Sequence, residues 1–511
     1  MRGVAGDARI HGGCVARQQE ERSLHQVRAR GEAVGHPHLA EELRGARHVR
    51  ERPRVDPGGG RALPSPAQRV RGCPDPAPAL SVCLLRERPR TASGGPVRQW
   101  SRALTLITLF FFAHQPDRLK PYEARRSQSR LAPEELYGHY FDEKLNREVF
   151  EKVASKCYYP ATTLIRDLVR EFASHEKPFR VAYGLSGTLI DQMERWGPGL
   201  VGLFRDLAET GLVEFTGETY YHSLASLFDA ERVEFQEQAR MHAERIHSLF
   251  GVRPAVFRNT ECLFNNGIAA TVQHMGYEGI ITEGVDWLMA GWRSPDFVYQ
   301  APCGLKVLLR NYRLSDDLGY RFSNRDWEGW PLRAETFAGW LAANTDMHVL
   351  IALDYEALGE HIWADSGIFE FLRHLPGEVE KHAQLAFTTP TEAVRTLPPV
   401  GTVSVDDYAT ISWADRERDT SAWLGNEMQQ FALEELKRME PVMKAVGDPH
   451  YLDCWRRMLT SDHLYYLATK SLSDGDVHKY FSAYGSVFEG FVRLHTAALD
   501  LLHRAQRQLE R

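Results

Sequence analysis

Seven short, continuous apolar runs, most of them separated by helical patterns, constrain the fold of this chain more than any other feature. They lie at residues 104–112, 179–183, 213–215, 255–257, 279–282, 306–309 and 349–353. Helical patterns occupy 164–172, 200–209, 230–250 and 267–274. In the third of these, Val233, Ala239, Ala243, Ile246 and Phe250 supply one apolar face at the amphipathic period. A strand that is apolar on both faces must be covered on both, and alternation with helices provides that cover. The pattern therefore predicts a parallel sheet. Six or seven such units in about 290 residues predict an α/β fold, an incomplete TIM-type (β/α)7 barrel. A further apolar run at 384–387 is a candidate extra strand.

Composition breaks near residue 103. Residues 1–100 hold 18 Arg, 13 Gly and 10 Pro, but no Lys, Phe, Tyr or Asn, and Trp100 is their only large aromatic residue. So few large apolar groups cannot offset the entropy of ordering the chain, so a disordered Arg/Gly/Pro-rich arm is expected over 1–102. Up to residue 103, 19 Arg face 10 acidic residues, whereas the remainder has 43 basic against 58 acidic residues. One reading is an arm for nucleic acid or anionic lipid. The other is G+C-rich sequence read from an upstream start codon, and the missing Lys, Asn, Phe and Tyr favour it. After Pro398 the helical patterns 421–446, 451–470 and 476–510 follow one another with no strand candidate between them. The expected organisation is an arm (1–102), a barrel (103–398) and a C-terminal α-helical domain (399–511).

Several function classes fall away on composition. The 62 basic and 68 acidic residues leave no overall basic excess for nucleic acid. Seven cysteines, odd in number and thinly spread, exclude a disulfide-built scaffold. No CxxC or Cys/His cluster has zinc spacing, and neither metal nor cofactor is expected. Cys157, Cys262, Cys303 and Cys454 read as buried thiols. The longest apolar run, 103–113, is too short to span a bilayer and too far from Met1 for a secretory signal, so no membrane partner and a cytoplasmic location are expected.

Polar chemistry collects where the strands end, which in such barrels is the functional face. The first run ends in His114-Gln115-Pro116, and the third leads into Glu218, Tyr221 and His222. The fourth ends in Arg258-Asn259-Thr260-Glu261, the fifth in Glu283 with Asp286-Trp287 beyond, and the seventh in Asp354-Tyr355-Glu356 with Glu360-His361 beyond. A single such carboxylate is often a helix cap or dipole partner. Carboxylates after several strands, interleaved with His, Tyr and Trp, suit cleavage of a glycosidic bond, where one acts as nucleophile and the other as acid, then base. Trp287, Tyr221, Trp413 and Trp423 are candidate platforms for sugar rings, although each taken singly also suits packing. By chemistry alone Asp354, Glu356 and Glu360 are all candidate acids, with Glu356 and Glu360 favoured as supports. Asp316-Asp317 and Ser461-Asp462-His463 read as cap or surface groups, the latter within reach of the site.

At these residues the sequence resembles glycoside hydrolase family 57, most of all its α-amylase-type members. The resemblance rests on His114-Gln115-Pro116, the Glu218 segment, Asn259-Thr260-Glu261, Leu353-Asp354-Tyr355-Glu356 with Gly359-Glu360-His361, and the stretch from Ser412-Trp413 to Trp423-Leu424-Gly425-Asn426. These five segments occur in the family's order. The resemblance implies a (β/α)7 barrel whose helical C-terminal region helps form the site. It also implies retention at the anomeric carbon and an α-glucan partner such as starch, glycogen or a maltooligosaccharide. Carried over by motif, Glu261 is the nucleophile and Asp354 the general acid/base. His114, Glu218, His222, Trp287, Glu356, His361, Asp415 and Trp423 line the subsites.

Within the class, hydrolase, 4-α-glucanotransferase and branching enzyme share one intermediate and differ in the acceptor. Two readings come from other classes. A metal-dependent polysaccharide deacetylase would need His114, His222 and Asp354 to converge on an ion, and the close His-x-x-x-His spacing is missing. A silent glucan-binding protein is disfavoured by the presence of both Glu261 and Asp354.

Overall fold

The apolar runs become strands that curl into one sheet in the computed structural model, which describes residues 104–121, 130–344 and 346–510. The expected arm over 1–102 lies outside the described residues. The strands are β1 (Thr105–Ala113), β2 (Val181–Leu185), β3 (Val213–Phe215), β4 (Val256–Arg258), β5 (Gly279–Glu283), β6 (Val298–Gln300), β7 (Lys306–Arg310), β8 (His348–Asp354) and β9 (Leu385–Phe387). The order β3-β2-β1-β8-β7-β5-β4 is parallel throughout. A parallel bridge between Gly217 and Phe257 closes the ring: the Gly217 amide donates to Val256 O at 2.9 Å and the Arg258 amide to Gly217 O at 2.8 Å. Seven parallel strands thus form the (β/α)7 barrel that the sequence predicts. The run at 384–387 is β9, which pairs with the first residues of β1. The unpredicted β6 runs antiparallel on β7.

Side chains alternate across each strand, and here the two rows have different surroundings. In β1, Ile107, Leu109, Phe111 and Ala113 pack outward beneath the helices, whereas Phe110 and Phe112 face the barrel interior. The interior also holds Ala182, Val256, Ile281, Leu308, Leu350 and Ala352. Gly184 belongs to this inner row of β2, where a Cβ would approach both Phe110 and Phe112 to 3.1 Å. Two large rings fit inside a narrow barrel because their neighbour has no side chain.

The helix Val233–Phe250 departs from its expected face. Val233, its first residue, is 43% exposed, and the buried side includes Glu234, Gln238 and His242. Polar groups are buried there because partners reach them: Arg456 grips Glu234 at 2.6 and 3.1 Å, and Gln238 accepts from Ser223 at 2.8 Å.

Each long C-terminal helical pattern is interrupted, two by a cap and one by a turn. Asn426 and Gln429 form a reciprocal capping box that starts the helix Glu427–Val446, and Ser486 caps Val487–Leu509. Between Pro449–Met458 and Ser461–Tyr465 the chain turns at Leu459-Thr460, where the Thr460 hydroxyl donates to Tyr221 O at 2.9 Å. These helices share an apolar core with β5, β7 and Val233–Phe250. No helix among the described residues is long and apolar enough to cross a membrane.

Candidate active site

One step beyond the apolar inner row, every barrel strand presents a polar residue. The inward positions are His114, Ser186 and Glu218, just beyond β1, β2 and β3, and Arg258, Glu283, Arg310 and Asp354, the last residues of β4, β5, β7 and β8. Such a ring at the C-terminal mouth is where a barrel of this kind does its chemistry.

Glu261 follows β4 in a short turn. Glu261 and Cys262 both take left-handed backbone angles, φ 56° and 54°. For residues with a Cβ this costs about 1–2 kcal/mol each, and it turns the Glu261 carboxylate back over the barrel. Three groups hold it: His222 Nε2 lies 3.0 Å from Oε1, the Ser461 hydroxyl donates to Oε1 at 3.0 Å, and the Trp413 indole N–H donates to Oε2 at 2.8 Å. Burial pushes the Glu261 carboxyl up, but His222, Arg258 and the Trp413 bond outweigh it and hold the group below the usual carboxylate range. Behind His222 lies Glu218, fully buried, 3.6 Å from Nδ1. Burial alone would lower His222, yet Glu218 and Glu261 together raise it to about 9. An imidazolium between two carboxylates therefore keeps Glu261 ionised. Glu218 backs this pair instead of lining an open subsite.

Asp354 ends the inner row of β8 and accepts no hydrogen bond from the described residues. Burial and the charge of Glu261 raise it to about 6, against the opposing pull of Arg258, Arg310 and His222. Glu356 accepts from the Tyr158 hydroxyl and from the His114 amide at 3.4 Å. Burial and Asp354 raise it to about 8. Glu360 is held by Lys152 at 2.7 Å and Lys156 at 3.4 Å. Of the three candidate acids, only Asp354 is uncommitted. His114 completes the cluster, with Nδ1 2.7 Å from Ser186 Oγ, Nε2 3.0 Å from Asp462 Oδ2, and its ring 4.3 Å from that of His222.

The site thus pairs a carboxylate kept ionised, Glu261, with a carboxyl kept protonatable, Asp354. The family model "Glycosyl hydrolase family 57" matches residues 108–406. The chain belongs to glycosyl hydrolase family 57. A protein of Methanocaldococcus jannaschii named "Putative alpha-amylase" is 44% identical over 394 residues, covering 76% of this chain and 82% of that protein. This family member is thus an α-amylase-like glycoside hydrolase. Among solved structures, the GH57-type branching enzyme of Pyrococcus horikoshii aligns with a TM-score of 0.53 at 14% identity, over 79% of this chain and 94% of that one. The 4-alpha-glucanotransferase of Thermococcus litoralis aligns with a TM-score of 0.52 at 15% identity, over 77% of this chain but only 60% of that one. At these identities the likeness is one of fold.

The family-57 barrel mouth brings together His114, Glu218, His222, Glu261, Asp354, Glu356 and Trp413. Two expected platforms are corrected. Trp423 is fully buried and packs at 6.3 Å from Tyr465, so its faces are closed to a sugar. Tyr221 donates to Asp453 at 3.0 Å and lines a separate open cleft of about 660 Å³ with Asp191 and Arg457. Trp287 is 56% exposed on the loop after β5. His361 stacks edge-on with Phe481 at 5.4 Å, and Asp415 pairs with Lys470 at 2.7 Å and His478 at 3.1 Å. These three stand outside the Glu261 cluster.

Other residues of the site were ranked low or not singled out. Ser461 and Asp462, read as cap or surface groups within reach of the site, touch Glu261 and His114. Asp316 joins Glu283, Arg310 and Arg418 in an ion network at the mouth, with Arg310 2.9 Å and Arg418 2.7 Å from Glu283. Arg258 and Arg310 are legible only by counting alternate positions along β4 and β7.

Proposed function

We propose that this enzyme cleaves α-1,4-glucosidic bonds of an α-glucan with retention, through a covalent glycosyl-enzyme. Glu261 is the nucleophile and Asp354 the general acid, then base. The observation that carries this reading is the opposite tuning of the two carboxyl groups. Three donors, one of them the His222 imidazolium, keep Glu261 anionic and aimed, while burial and Glu261 itself keep Asp354 protonatable at about 6. A retaining double displacement needs that division of labour.

In the first step Asp354 delivers its proton to the leaving glycosidic oxygen as a Glu261 oxygen bonds to the anomeric carbon. In the second, Asp354 takes a proton from the acceptor, which displaces Glu261. Neutralising Glu261 in the intermediate lowers the Asp354 pKa and suits it to act as base. His114 and Glu356 stand beside the acid, His114 fixed by Ser186 and Asp462 and Glu356 by Tyr158 and the His114 amide. Ser461 and Asp462 come from the C-terminal helices, so we read residues 103–398 and 399–511 as two parts of one catalytic unit, with 1–102 outside it.

The deacetylase reading has less support. His222 Nε2 is committed to Glu261, and both nitrogens of His114 are committed to Ser186 and Asp462.

The decisive experiment is digestion of a defined maltooligosaccharide followed by proton NMR and chain-length analysis. The expected first product is the α-anomer, with shortened chains only. An initial β-anomer would overturn retention, and chains longer than the substrate would assign transfer to a sugar acceptor in place of hydrolysis.

A further inference from the structure

Arg258 is the charged group near the site with the least ordinary surroundings. It is fully buried, none of its three guanidinium nitrogens bonds an oxygen or nitrogen among the described residues, and its one polar neighbour there is the Cys262 thiol, which burial holds neutral. Its guanidinium lies instead between two rings, 3.8 Å from the centre of Phe112 and 4.5 Å from that of Trp413. A buried charge without a hydrogen-bonded counterion lowers stability relative to a well-packed apolar side chain. Its presence therefore calls for a role other than holding the fold together.

The two rings lead to one atom group. Trp413 donates its indole N–H to Glu261 at 2.8 Å. Phe112 stacks on the His222 ring at 4.8 Å, and His222 in turn contacts Glu261 at 3.0 Å. Two of the three groups that fix the nucleophile thus rest, directly or through Phe112, on the same guanidinium. We propose that Arg258 is the positioning residue of the nucleophile: clamped between Phe112 and Trp413, it sets both ring donors of Glu261 and supplies a fixed positive charge behind the carboxyl pair. Being fully buried, it acts through these neighbours and not on substrate. The inference rests on the reading of Glu261 as nucleophile and Asp354 as acid/base.

The sign of the electrostatic effect follows from the charges present. Glu261 faces His222, Arg258, Asp354 and Tyr465. Asp354 faces Glu261, Arg258, Arg310, His222, Glu356, Tyr320 and Tyr465. Removing the Arg258 charge leaves every other group in place and makes both carboxyls easier to protonate. The acid limb of activity, which requires ionised Glu261, then moves to higher pH. The alkaline limb, which requires protonated Asp354, moves in the same direction.

The test compares Arg258→Met, which keeps apolar contact with both rings, and Arg258→Lys, which keeps the charge but not the flat clamp, in the full-length protein. For Arg258→Met the expected result is an unchanged or higher melting temperature, at least a tenfold loss of turnover on a maltooligosaccharide, and a rise of both limbs of kcat/KM by about one pH unit. Arg258→Lys should lose turnover while leaving the limbs near their original positions. A second readout needs no turnover. The pH titration of Trp413 fluorescence, taken as the difference from the same protein carrying Trp413→Phe, follows protonation of Glu261, and its midpoint should rise in Arg258→Met. Unmoved limbs and an unmoved midpoint, with or without lost activity, would reduce Arg258 to a packing residue. If the unsubstituted enzyme turned over no α-glucan, the functional reading would fail, and the fluorescence midpoint would still decide the role of Arg258.

Discussion

Arg457 offers a direct way to test whether the C-terminal helices are part of the site. It projects from the helix Pro449–Met458 and meets three carboxylates: Asp117 just after β1, Asp191 on the helix Gly187–Trp196 at 2.6 Å, and Asp453 at 2.9 Å. The contributions are unequal. Asp453 is 31% exposed and lies one turn away on the same helix, so it adds only about 0.3–0.5 kcal/mol and does nothing for docking. Asp191 is 18% exposed, which weakens its bond. Asp117 is 1% exposed and decides the total. Breaking a buried pair typically costs about 3–5 kcal/mol, because the remaining charge stays buried. Asp117 keeps neutral donors in Tyr137 at 2.9 Å, Gln192 at 3.4 Å and Asn146 at 3.5 Å. Those bonds place Arg457→Met at the lower end, about 3 kcal/mol.

In a protein of this size that loss corresponds to a fall in melting temperature of roughly 3–6 °C. Arg457→Lys can reach one carboxylate at a time and should fall about half as far. The functional consequence is separate. Ser461 and Asp462 begin the next helix and contact Glu261 and His114. Loosening Pro449–Met458 should therefore reduce turnover at temperatures well below unfolding. Thermal melts and initial rates on the same preparations test both statements. A melting temperature within about 1 °C of the original would refute the ledger built on Asp117. A fallen melting temperature with undiminished turnover would show that Ser461 and Asp462 are placed by the apolar core alone.

The two carboxylates should separate by rescue: Glu261→Ala and Asp354→Ala each lose about 100-fold or more in turnover, but azide should yield a β-glycosyl azide from the first and an α-glycosyl azide from the second, as read by NMR. Alanine at 261 inherits the left-handed backbone without added strain, so Glu261→Ala should stay folded, with a lower melting temperature from the loss of its bonds to His222, Ser461 and Trp413, whereas Asp354→Ala, which breaks no hydrogen bond, should melt like the parent. Because Asp354 must carry its proton, log kcat/KM should decline with unit slope above pH about 6; a plateau extending to pH 8 would exclude Asp354 as the acid. Removing residues 1–102 should leave turnover and melting temperature nearly unchanged, whereas an insoluble or inactive product would make the arm part of the fold.

The barrel was legible because parallel strands buried on both faces have to be written as unbroken apolar runs. All seven barrel strands were located to within two residues, including the three-residue β3 and β4. The strand β6 was not, since a tripeptide ending in Gln300 carries no such run and is held by an antiparallel partner and a loop. The helix Val233–Phe250 misled for the opposite reason. Its buried side is partly polar, and the groups that make that burial tolerable, such as Arg456 for Glu234, lie more than 200 residues away. Amphipathic period describes a helix that meets apolar neighbours, and it cannot anticipate a buried ion pair contributed by another part of the chain.

The same distinction separates what could be read of the site from what could not. A residue that a strand delivers is fixed by parity. Once Val256 and Ala352 face inward, Arg258 and Asp354 must do so too, and the charge of each was visible at its place in the run. A residue delivered by a turn between helices has no such rule. Ser461 reaches Glu261 only because the chain breaks at Leu459-Thr460, within a stretch that otherwise reads as one helix. Trp413 and Trp423 make the case most plainly. They belong to one motif and were equal candidates as platforms, yet one bonds Glu261 and the other is sealed in the core. Side-chain chemistry alone cannot divide them, because an indole serves equally as donor, platform or filler. What divides them is which ring meets a charge: Trp413 lies over Arg258 and against Glu261, and that charge pair at the end of β4 is where the barrel imposes its geometry on the residues that follow it.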